Sequence, residues 1–358
     1  MLAINRVYYG DCLEYLQQID SESVDLVIVD IPYNQGKAFN TKLEWDTFNN
    51  EYIDWVLKGF TEVERILKKT GSFYFFHNDF EVLAEIQHAI KQQLHFTFKQ
   101  LIVWNKRFDG AWNKGYLDGY VMEGGRINYQ KMCEYICFYT KQPEYFPTPF
   151  SRIIQEYMAK LHLKQIDIAK LDLSESGGIT GWVCNKIQGT QLPNEEQWAK
   201  MCSLFGIENQ YSRLEAQFWK ERYTFHNQKK YHSVWNFPIP KKTNGEHPCK
   251  KPIELIENIL LHSSNKGDLV VDYCAGGGNV GIACKKLQRS YILIDKDLEY
   301  VQQMKRKLSQ ALVSDLVQKA IPLCSESCQF FHGQWCLNSP LSSGKHKKGQ
   351  SCVKFKGV

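Results

Sequence analysis

Apolar and polar positions along this chain follow two periods, and the changes between them mark where strands give way to helices. Asn5–Tyr9 reads as extended, Gly10-Asp11 as a turn and Cys12–Gln17 as helical. Val24–Val29 is a continuous apolar, β-branched run of the kind buried on both faces of a parallel sheet. It ends at Asp30-Ile31-Pro32-Tyr33, ahead of a polar Asn/Gly loop. Tyr52–Leu67 has helical spacing, Gly71 is predicted to stop it, and Ser72–Phe76 is a strand. Phe80–Gln93 is a further helix, and Phe96–Trp104 and Cys133–Tyr139 are strands. The Gly-, Asn- and Tyr-rich stretch 107–129 between those strands reads as a long loop, a feature that tends to be functional or disordered.

Residues 150–222 change character and predict a mostly helical module. Its helices are Arg152–Leu161, Gln165–Leu171, Thr180–Ile187 and Pro193–Phe205, the last with Gly206 placed to cap it. The α/β pattern resumes at Val234, with helices at Pro252–Ser264, Val280–Leu287 and Leu298–Gln310 and strands at Leu269–Asp272 and Tyr291–Asp295. Strands alternating with helices imply a parallel sheet. The chain is thus expected to divide into 1–149 and 232–312, two halves of one α/β domain, with a helical insert at 150–231 and a Cys/Lys-rich tail at 313–358.

Composition narrows the class. With 358 residues, 43% hydrophobic and 23% charged, the chain reads as globular rather than disordered. The net charge of +5 suits a polyanionic partner without requiring one. No apolar run is long enough to span a membrane. The strand-like start reads as mature protein rather than signal peptide, and the twelve cysteines then read as free thiols in a reducing compartment.

Two segments carry chemistry. Leu269–Asp272 leads through Tyr273-Cys274-Ala275-Gly276-Gly277-Gly278 into a helix, and the next strand ends in Asp295. Glycines let the backbone pass close under a ligand, and a carboxylate about twenty residues on can accept from both ribose hydroxyls of a nucleoside. Taken alone, the glycine turn is equally an ordinary strand–helix loop. The Asp30-Ile31-Pro32-Tyr33 segment is the second. An exocyclic amine on a base has its lone pair drawn into the ring, and transfer to it needs the nitrogen pushed toward tetrahedral geometry. A carboxylate and a backbone carbonyl that each accept one N–H would do this, with an aromatic ring beside them to stack on an extruded base. The alternative for an isolated tetrapeptide is a helix cap or turn.

The order of these segments resembles the DNA amino-methyltransferases with an Asp/Asn/Ser-Pro-Pro-Tyr motif, in the circularly permuted class whose catalytic motif precedes the cofactor motif. Gly10-Asp11-Cys12 with Ser23-Val24-Asp25-Leu26 resembles the family's opening, and His247-Pro248-Cys249-Lys250-Lys251-Pro252 with Glu254-Leu255 its His-Pro-x-x-Lys-Pro motif. Trp104-Asn105-Lys106 and Glu134-Tyr135 resemble further recurring pieces. The likeness spans roughly 4–145 and 232–310. Ile31 stands where the family has its first proline, Tyr273-Cys274 where it has Pro-Phe, and Gly277 where it has Ser.

The resemblance implies an α/β, Rossmann-like S-adenosylmethionine-dependent methyltransferase fold, with a mainly parallel sheet of seven strands and the helical insert as its recognition module. It implies methyl transfer from S-adenosylmethionine to N6 of a flipped adenine in double-stranded DNA, since Asp at the first motif position goes with N6-adenine. N4 of cytosine and an amine in RNA are alternatives, as is an inactive DNA-binding regulator on a decayed fold. The presence of Asp30, Tyr33 and Asp295 argues against decay. By the same resemblance Asp30 accepts from the amine, the Pro32 region presents a carbonyl and Tyr33 stacks on the base. Asp11 and Cys12 face the cofactor's adenine, while Gly276 and Gly278, in the turn that runs from Asp272 through Cys274 and Ala275, pass under its methionine part. Asp295 holds the ribose, and Lys251 lies near the cofactor carboxylate or the loop covering it. Such enzymes act in the cytoplasm at the nucleoid, some beside a cognate restriction endonuclease.

Within the insert, Gln165–Leu171 followed by Gly177–Lys186 resembles a helix-turn-helix of the phage-repressor type, a motif that sets its second helix in the major groove. Thr180, Trp182, Asn185 and Lys186 are the expected DNA-facing residues, the alternative being a hairpin that only packs on the catalytic domain. In the tail, Cys324, Cys328, Cys336 and Cys352, with His332 and His346, either bind zinc or an iron–sulfur cluster or are free thiols. Their spacing contains no Cys-x-x-Cys pair.

Overall fold

The computed structural model describes residues 2–33, 50–111, 132–142, 147–172, 181–227, 229–241, 249–320, 331–332 and 335–336. The chain forms two compact units, Met1–Val301 and Gln302–Val358.

The first unit is built on a sheet whose strands are β1 (Arg6–Tyr9), β2 (Val24–Asp30), β3 (Leu67–His77), β4 (Thr97–Asn105), β5 (Cys133–Thr140), β6 (Val234–Asn236), β7 (Leu269–Asp272) and β8 (Ser290–Asp295). Their spatial order is β1-β8-β7-β2-β3-β5-β4-β6. All neighbours are parallel except at β5, which runs antiparallel to both β3 and β4. This is the expected mainly parallel α/β sheet, with β6 added: three residues at the edge, too short to register as a period, pair with Val103–Asn105.

The apolar runs lie where burial on two faces would put them. Val24 and Leu26–Val29 on β2 are sealed, as are Phe73–Phe76 on β3. Against them pack α1 (Cys12–Leu16), α2 (Asn50–Ile66) and α3 (Phe80–Gln93), with Phe60 of α2 set edge-on to Phe73 at 4.8 Å. Ile31, just past β2, buries its side chain in this same core.

β3 begins at Leu67, five residues before the expected Ser72. Val24 pairs with Leu67 and Leu26 with Ser72, so residues 68–71 form a bulge. Gly71 sits inside it, where a Cβ would lie 2.6 Å from the Leu67 Cγ and 3.0 Å from the Asp25 carbonyl oxygen. The glycine thus marks a close approach within the strand rather than the end of a helix. Asp25 ties the bulge down: one carboxylate oxygen meets Lys68 Nζ at 2.7 Å and the other accepts from the Leu269 N–H of β7 at 2.9 Å.

The helical segment contains α4 (Pro149–Lys160), α5 (Gln165–Ala169), α6 (Gly181–Gln188), α7 (Glu195–Phe205) and α8 (Tyr211–Glu221). They share a core of their own that includes Phe150, Ile154, Ile168, Val183, Trp198, Met201 and Leu214. Gly206 caps α7 in the left-handed region at φ 68°. The sequence pattern does not predict α8, whose buried residues are Leu214 and Phe218, one helical turn apart, while Trp219 is exposed. The turn expected between α5 and α6, residues 173–180, lies outside the described residues.

Three helices complete the fold: α9 (Ile253–Ser263), α10 (Asn279–Lys286) and α11 (Leu298–Ala320), the last running into the second unit. Among the described residues of the tail, β9 (Phe331–His332) pairs antiparallel with β10 (Trp335–Cys336). Cys324, Cys328, Cys352 and His346 lie outside the described residues. No helix among the described residues is long and apolar enough to cross a membrane.

Replacing Gly71 by Ala is predicted to destabilise the protein by about 1–3 kcal/mol, since both Leu67 and the Asp25 backbone are fixed by burial. Thermal melting of Gly71→Ala beside the wild type measures this, and an unchanged midpoint would show that the bulge yields freely.

Candidate active site

β2 delivers Asp30 to the carboxyl end of the sheet, the end at which open α/β sheets bind ligands. Both carboxylate oxygens are engaged. Oδ1 accepts from the Tyr33 hydroxyl at 2.7 Å, and Oδ2 lies 2.7 Å from Lys251 Nζ. Glu134 of β5 stands opposite. Its Oε2 accepts from the Tyr33 hydroxyl at 3.1 Å and meets Lys251 Nζ at 3.2 Å, and its Oε1 accepts from Lys106 at 3.1 Å. Two carboxylates and two ammonium groups therefore form one network of no net charge.

Lys251 is 7% exposed and boxed by aromatic faces, with Nζ 5.0 Å from the centre of the Tyr33 ring, 5.4 Å from Phe76 and 5.8 Å from Trp104. Trp104 is held by donating its Nε1–H to the Phe237 carbonyl at 2.7 Å, just past β6, which is how that short edge strand serves the site. Burial pushes the Asp30 carboxyl above the ordinary carboxylate range, partly offset by Lys251. For Glu134, burial acts upward but Lys251 and Lys106 outweigh it and bring its pKa down to about 2. Burial would lower the pKa of Lys251, yet Asp30 and Glu134 hold it above its usual value.

The Pro32 carbonyl accepts from the Tyr52 hydroxyl of α2 at 2.6 Å. Tyr52 in turn lies 3.3 Å from Nε2 of His77 at the end of β3.

The second half of the site lies on the adjacent strand. β2 and β7 are hydrogen-bonded neighbours in parallel, with Leu26 opposite Val270 and Val27 opposite Val271. The ends bearing Asp30 and Asp272 therefore open into one crevice. After Asp272 the chain turns through Gly276 (φ 45°) and Gly278 (φ 75°) into α10, conformations that favour glycine. Asp295, at the end of β8, braces this turn: Oδ2 accepts from the Gly276 N–H at 2.7 Å and Oδ1 from the Asp297 N–H at 2.8 Å. Each oxygen keeps a lone pair for a further donor. Gly278 donates to the Ala275 carbonyl at 2.8 Å, and Ala275 to that of Ile294 at 3.0 Å. Asp272 is buried, accepts from the Cys274 N–H at 3.1 Å, and is raised well above the usual carboxylate range, mainly by burial. Asp11 caps α1 through Oδ1, which accepts from Leu13 and Glu14. The Cys12 thiol and burial raise the Cys274 thiol well above its usual range, and Gly10 of the opening turn donates to the Asp295 carbonyl at 3.1 Å.

The Lys251 ammonium lies against Asp30 and Glu134, because a buried cation needs counter-charge and these carboxylates supply it. Its backbone carbonyl accepts from Asn279 Nδ2 at the start of α10 at 2.7 Å, and its charge also acts on Asp272. Lys186 departs from its expected DNA-facing place: it is 8% exposed, and its ammonium donates to the Gln191 side chain at 3.2 Å. It falls next to Val183 and Ile187, the buried face of α6, and burial lowers its pKa. Asn185 is half-buried, and its carbonyl accepts from the Gly189 and Thr190 N–H groups at 2.9 Å. Thr180 and the side chain of Trp182 lie outside the described residues.

In the sequence, Lys106 and Glu134 stand out only within recurring fragments, and Tyr52 and His77 do not stand out at all. For the first pair the available signal was a charge at the end of an apolar strand. For the second there was none, since an aromatic and a histidine in apolar runs read as core.

The family model described as DNA methylase, covering N6 and N4 types, matches residues 24–306. The chain is 28% identical over 312 residues to Type II methyltransferase M1.MboII of Moraxella bovis, covering 87% of this chain and 98% of that protein. It is 28% identical over 309 residues to DNA adenine methyltransferase YhdJ of Escherichia coli (strain K12), covering 85% and 83%. Among solved structures, the PvuII DNA methyltransferase (cytosine-N4-specific) superposes with a TM-score of 0.51 at 14% identity, covering 87% of this chain and 92% of that one, which is a likeness of fold.

Glu134→Gln is predicted to destabilise the protein by on the order of 3 kcal/mol at pH 7. A carboxylate with a depressed folded pKa stabilises only where it is ionised, so the deficit is complete above its ordinary value of 4.5 and fades as pH falls toward 2. Denaturant unfolding of both proteins at pH 7 and pH 3 checks this; a deficit that does not shrink in acid contradicts it.

Proposed function

The chain belongs to the DNA methylase family, and on that premise we propose that it transfers a methyl group from S-adenosylmethionine to N6 of an adenine turned out of double-stranded DNA. The observation that carries the reading is the pairing of β2 with β7, which sets Asp30 beside the glycine turn. The preference for adenine rests on an Asp at the first position of the catalytic motif and on the relative named as an adenine methyltransferase.

The residues present fit the cofactor. A left-handed glycine turn gives the close backbone approach a methionine moiety needs, and Asp295 offers lone pairs at the next strand end for ribose hydroxyls. Asp11, Cys12, Asp272, Cys274 and Ala275 make up the rest of the proposed pocket. The cofactor supplies an electrophilic methyl group on a sulfonium.

The remaining chemistry belongs to the chain. Asp30 accepts one N–H of the target amine. Pro32 already receives the Tyr52 hydroxyl, so the neighbouring Ile31 carbonyl is the proposed second acceptor. Together they draw the nitrogen lone pair out of conjugation. Tyr33 gives up its bond to Asp30 as the base enters and stacks on it. Lys251 keeps its hold on Oδ2 and orients the carboxylate toward the amine. After transfer, the raised basicity of Asp30 suits it to take the proton the methylated amine releases.

The helical segment 150–231 is the proposed reader of the target sequence, through Thr180, Trp182 and Asn185 on and before α6. Lys186 would instead brace the helix end through Gln191. The relatives named as Type II methyltransferases support a site-specific enzyme, and a cognate restriction endonuclease is its proposed partner.

Labelled S-adenosylmethionine and unmethylated genomic DNA test the proposal, with digested nucleosides identified. Label is expected in N6-methyladenine, reduced at least roughly hundredfold in Asp30→Ala. Label in N4-methylcytosine would overturn the base assignment, and label that survives in Asp30→Ala would overturn the catalytic one. Because Asp30 must be ionised and its pKa is raised, the wild-type rate is expected to fall, as pH drops, at a pH above the ordinary aspartate value of 3.8.

A further inference from the structure

The peptide that follows Asp30 is fixed from behind by a chain of hydrogen bonds that belongs neither to the ion network nor to the cofactor turn. The polarity of that chain follows from its chemistry. The Pro32 carbonyl only accepts, so the Tyr52 hydroxyl proton points to it across 2.6 Å. The Tyr52 oxygen therefore meets His77 Nε2, 3.3 Å away, as an acceptor, and Nε2 carries the imidazole hydrogen. On the far side of the ring, His77 Nδ1 lies 3.0 Å from the Asp79 nitrogen and 2.9 Å from the Asp79 carbonyl oxygen, so the Asp79 backbone holds the imidazole in place. The Nε2 and Tyr52 donors both point toward Pro32.

The anchors are rigid. Tyr52 and His77 are both fully buried. Tyr52 lies in the first turn of α2, and burial raises its hydroxyl far above the ordinary range, so it remains a donor at any working pH. Asp79 caps α3, with Oδ1 accepting from Glu81 at 3.0 Å and Val82 at 3.3 Å. The catalytic segment is thereby tied to the starts of two helices. On its other side, Ile31 is 1% exposed and packed in the core. Ile31 has no ring to restrict its φ, as a proline would. A buried side chain on one residue and a pinned carbonyl on the next restrict the peptide plane between them by other means.

We infer that Tyr52 and His77 are positioning residues for methyl transfer: their relay onto the Pro32 carbonyl holds the Ile31–Pro32 peptide so that the Ile31 carbonyl and the Asp30 carboxylate converge on one amine. The inference rests on the methyltransferase reading above. Neither residue is among those proposed to hold the base or the cofactor, so their loss is expected to act on turnover rather than on binding.

The test compares wild type, Tyr52→Phe, His77→Gln and His77→Leu in two assays. One is steady-state methyl transfer to DNA; the other is amide hydrogen exchange of the segment containing Ile31 and Tyr33, without DNA or cofactor. Tyr52→Phe keeps the ring and removes only the donor. It is expected to lower kcat about tenfold, with KM for DNA and for cofactor within about twofold, and to speed exchange of the segment about tenfold. His77→Gln retains an N–H for Tyr52 and is expected to keep kcat within about threefold, whereas His77→Leu matches Tyr52→Phe. The double variant Tyr52→Phe/His77→Leu is expected to be no slower than either single one, because both break one chain. A Tyr52→Phe protein with wild-type kcat and wild-type exchange overturns the inference, as does a loss confined to KM. Faster exchange in Tyr52→Phe with no transfer even by the wild type would support the clamp and overturn the methyltransferase reading instead.

Discussion

The site depends on one buried cation. Asp30 from β2 and Glu134 from β5 flank the end of β3, and Lys251, from the segment leading into α9, joins them. Taking two ammonium groups and two carboxylates out of water costs several kcal/mol per ion, and apolar side chains of similar volume would often do as well for stability alone. A network this expensive is better explained by what it holds ready: a carboxylate oriented on both oxygens, next to an aromatic ring that can leave. Without Lys251, Asp30 would be a buried charge with no cation beside it, and Glu134 would keep only Lys106.

The sheet converts that local arrangement into a reaction geometry. Asp30 and Asp272 are separated by more than two-thirds of the chain, yet β2 and β7 are direct neighbours. The pairing needs little specification beyond two apolar strands, and Asp25 reinforces it by binding the Leu269 N–H. A target held by Asp30 and a donor held over the glycine turn would then face each other across a single strand spacing of about 4.8 Å. The helical segment carries its own core, which lets it vary without disturbing this junction.

Much of this was legible in the sequence, and the parts that were not share a cause. Runs such as Val24–Val29 and the helix Phe80–Gln93 stand where their periodicity placed them, because burial on one or two faces writes a local pattern. Asp30, Tyr33, Gly276 and Asp295 could be singled out because unusual residues follow strands. What periodicity does not carry is partnership. Glu134 lies more than a hundred residues from Asp30, and nothing local announces that the two share a lysine. Lys186 looked like a surface cation because charge suggests exposure, but its place on α6 put it beside the buried face. Tyr52 and His77 lay hidden in apolar runs for the opposite reason. Gly71 read as a helix stop because the bulge that needs it is formed with a distant strand.

One crevice is proposed to hold both the methyl donor and the target amine. The most direct measurement is a crystal structure of the protein with a non-reactive S-adenosylmethionine analogue and a DNA duplex containing its target site. The account predicts an extruded base whose amine meets Asp30 and the Ile31 carbonyl, with the donor group in line and about 3–3.5 Å from the amine nitrogen. An analogue bound away from the Gly276–Gly278 turn, or a base whose amine points away from Asp30, would contradict it.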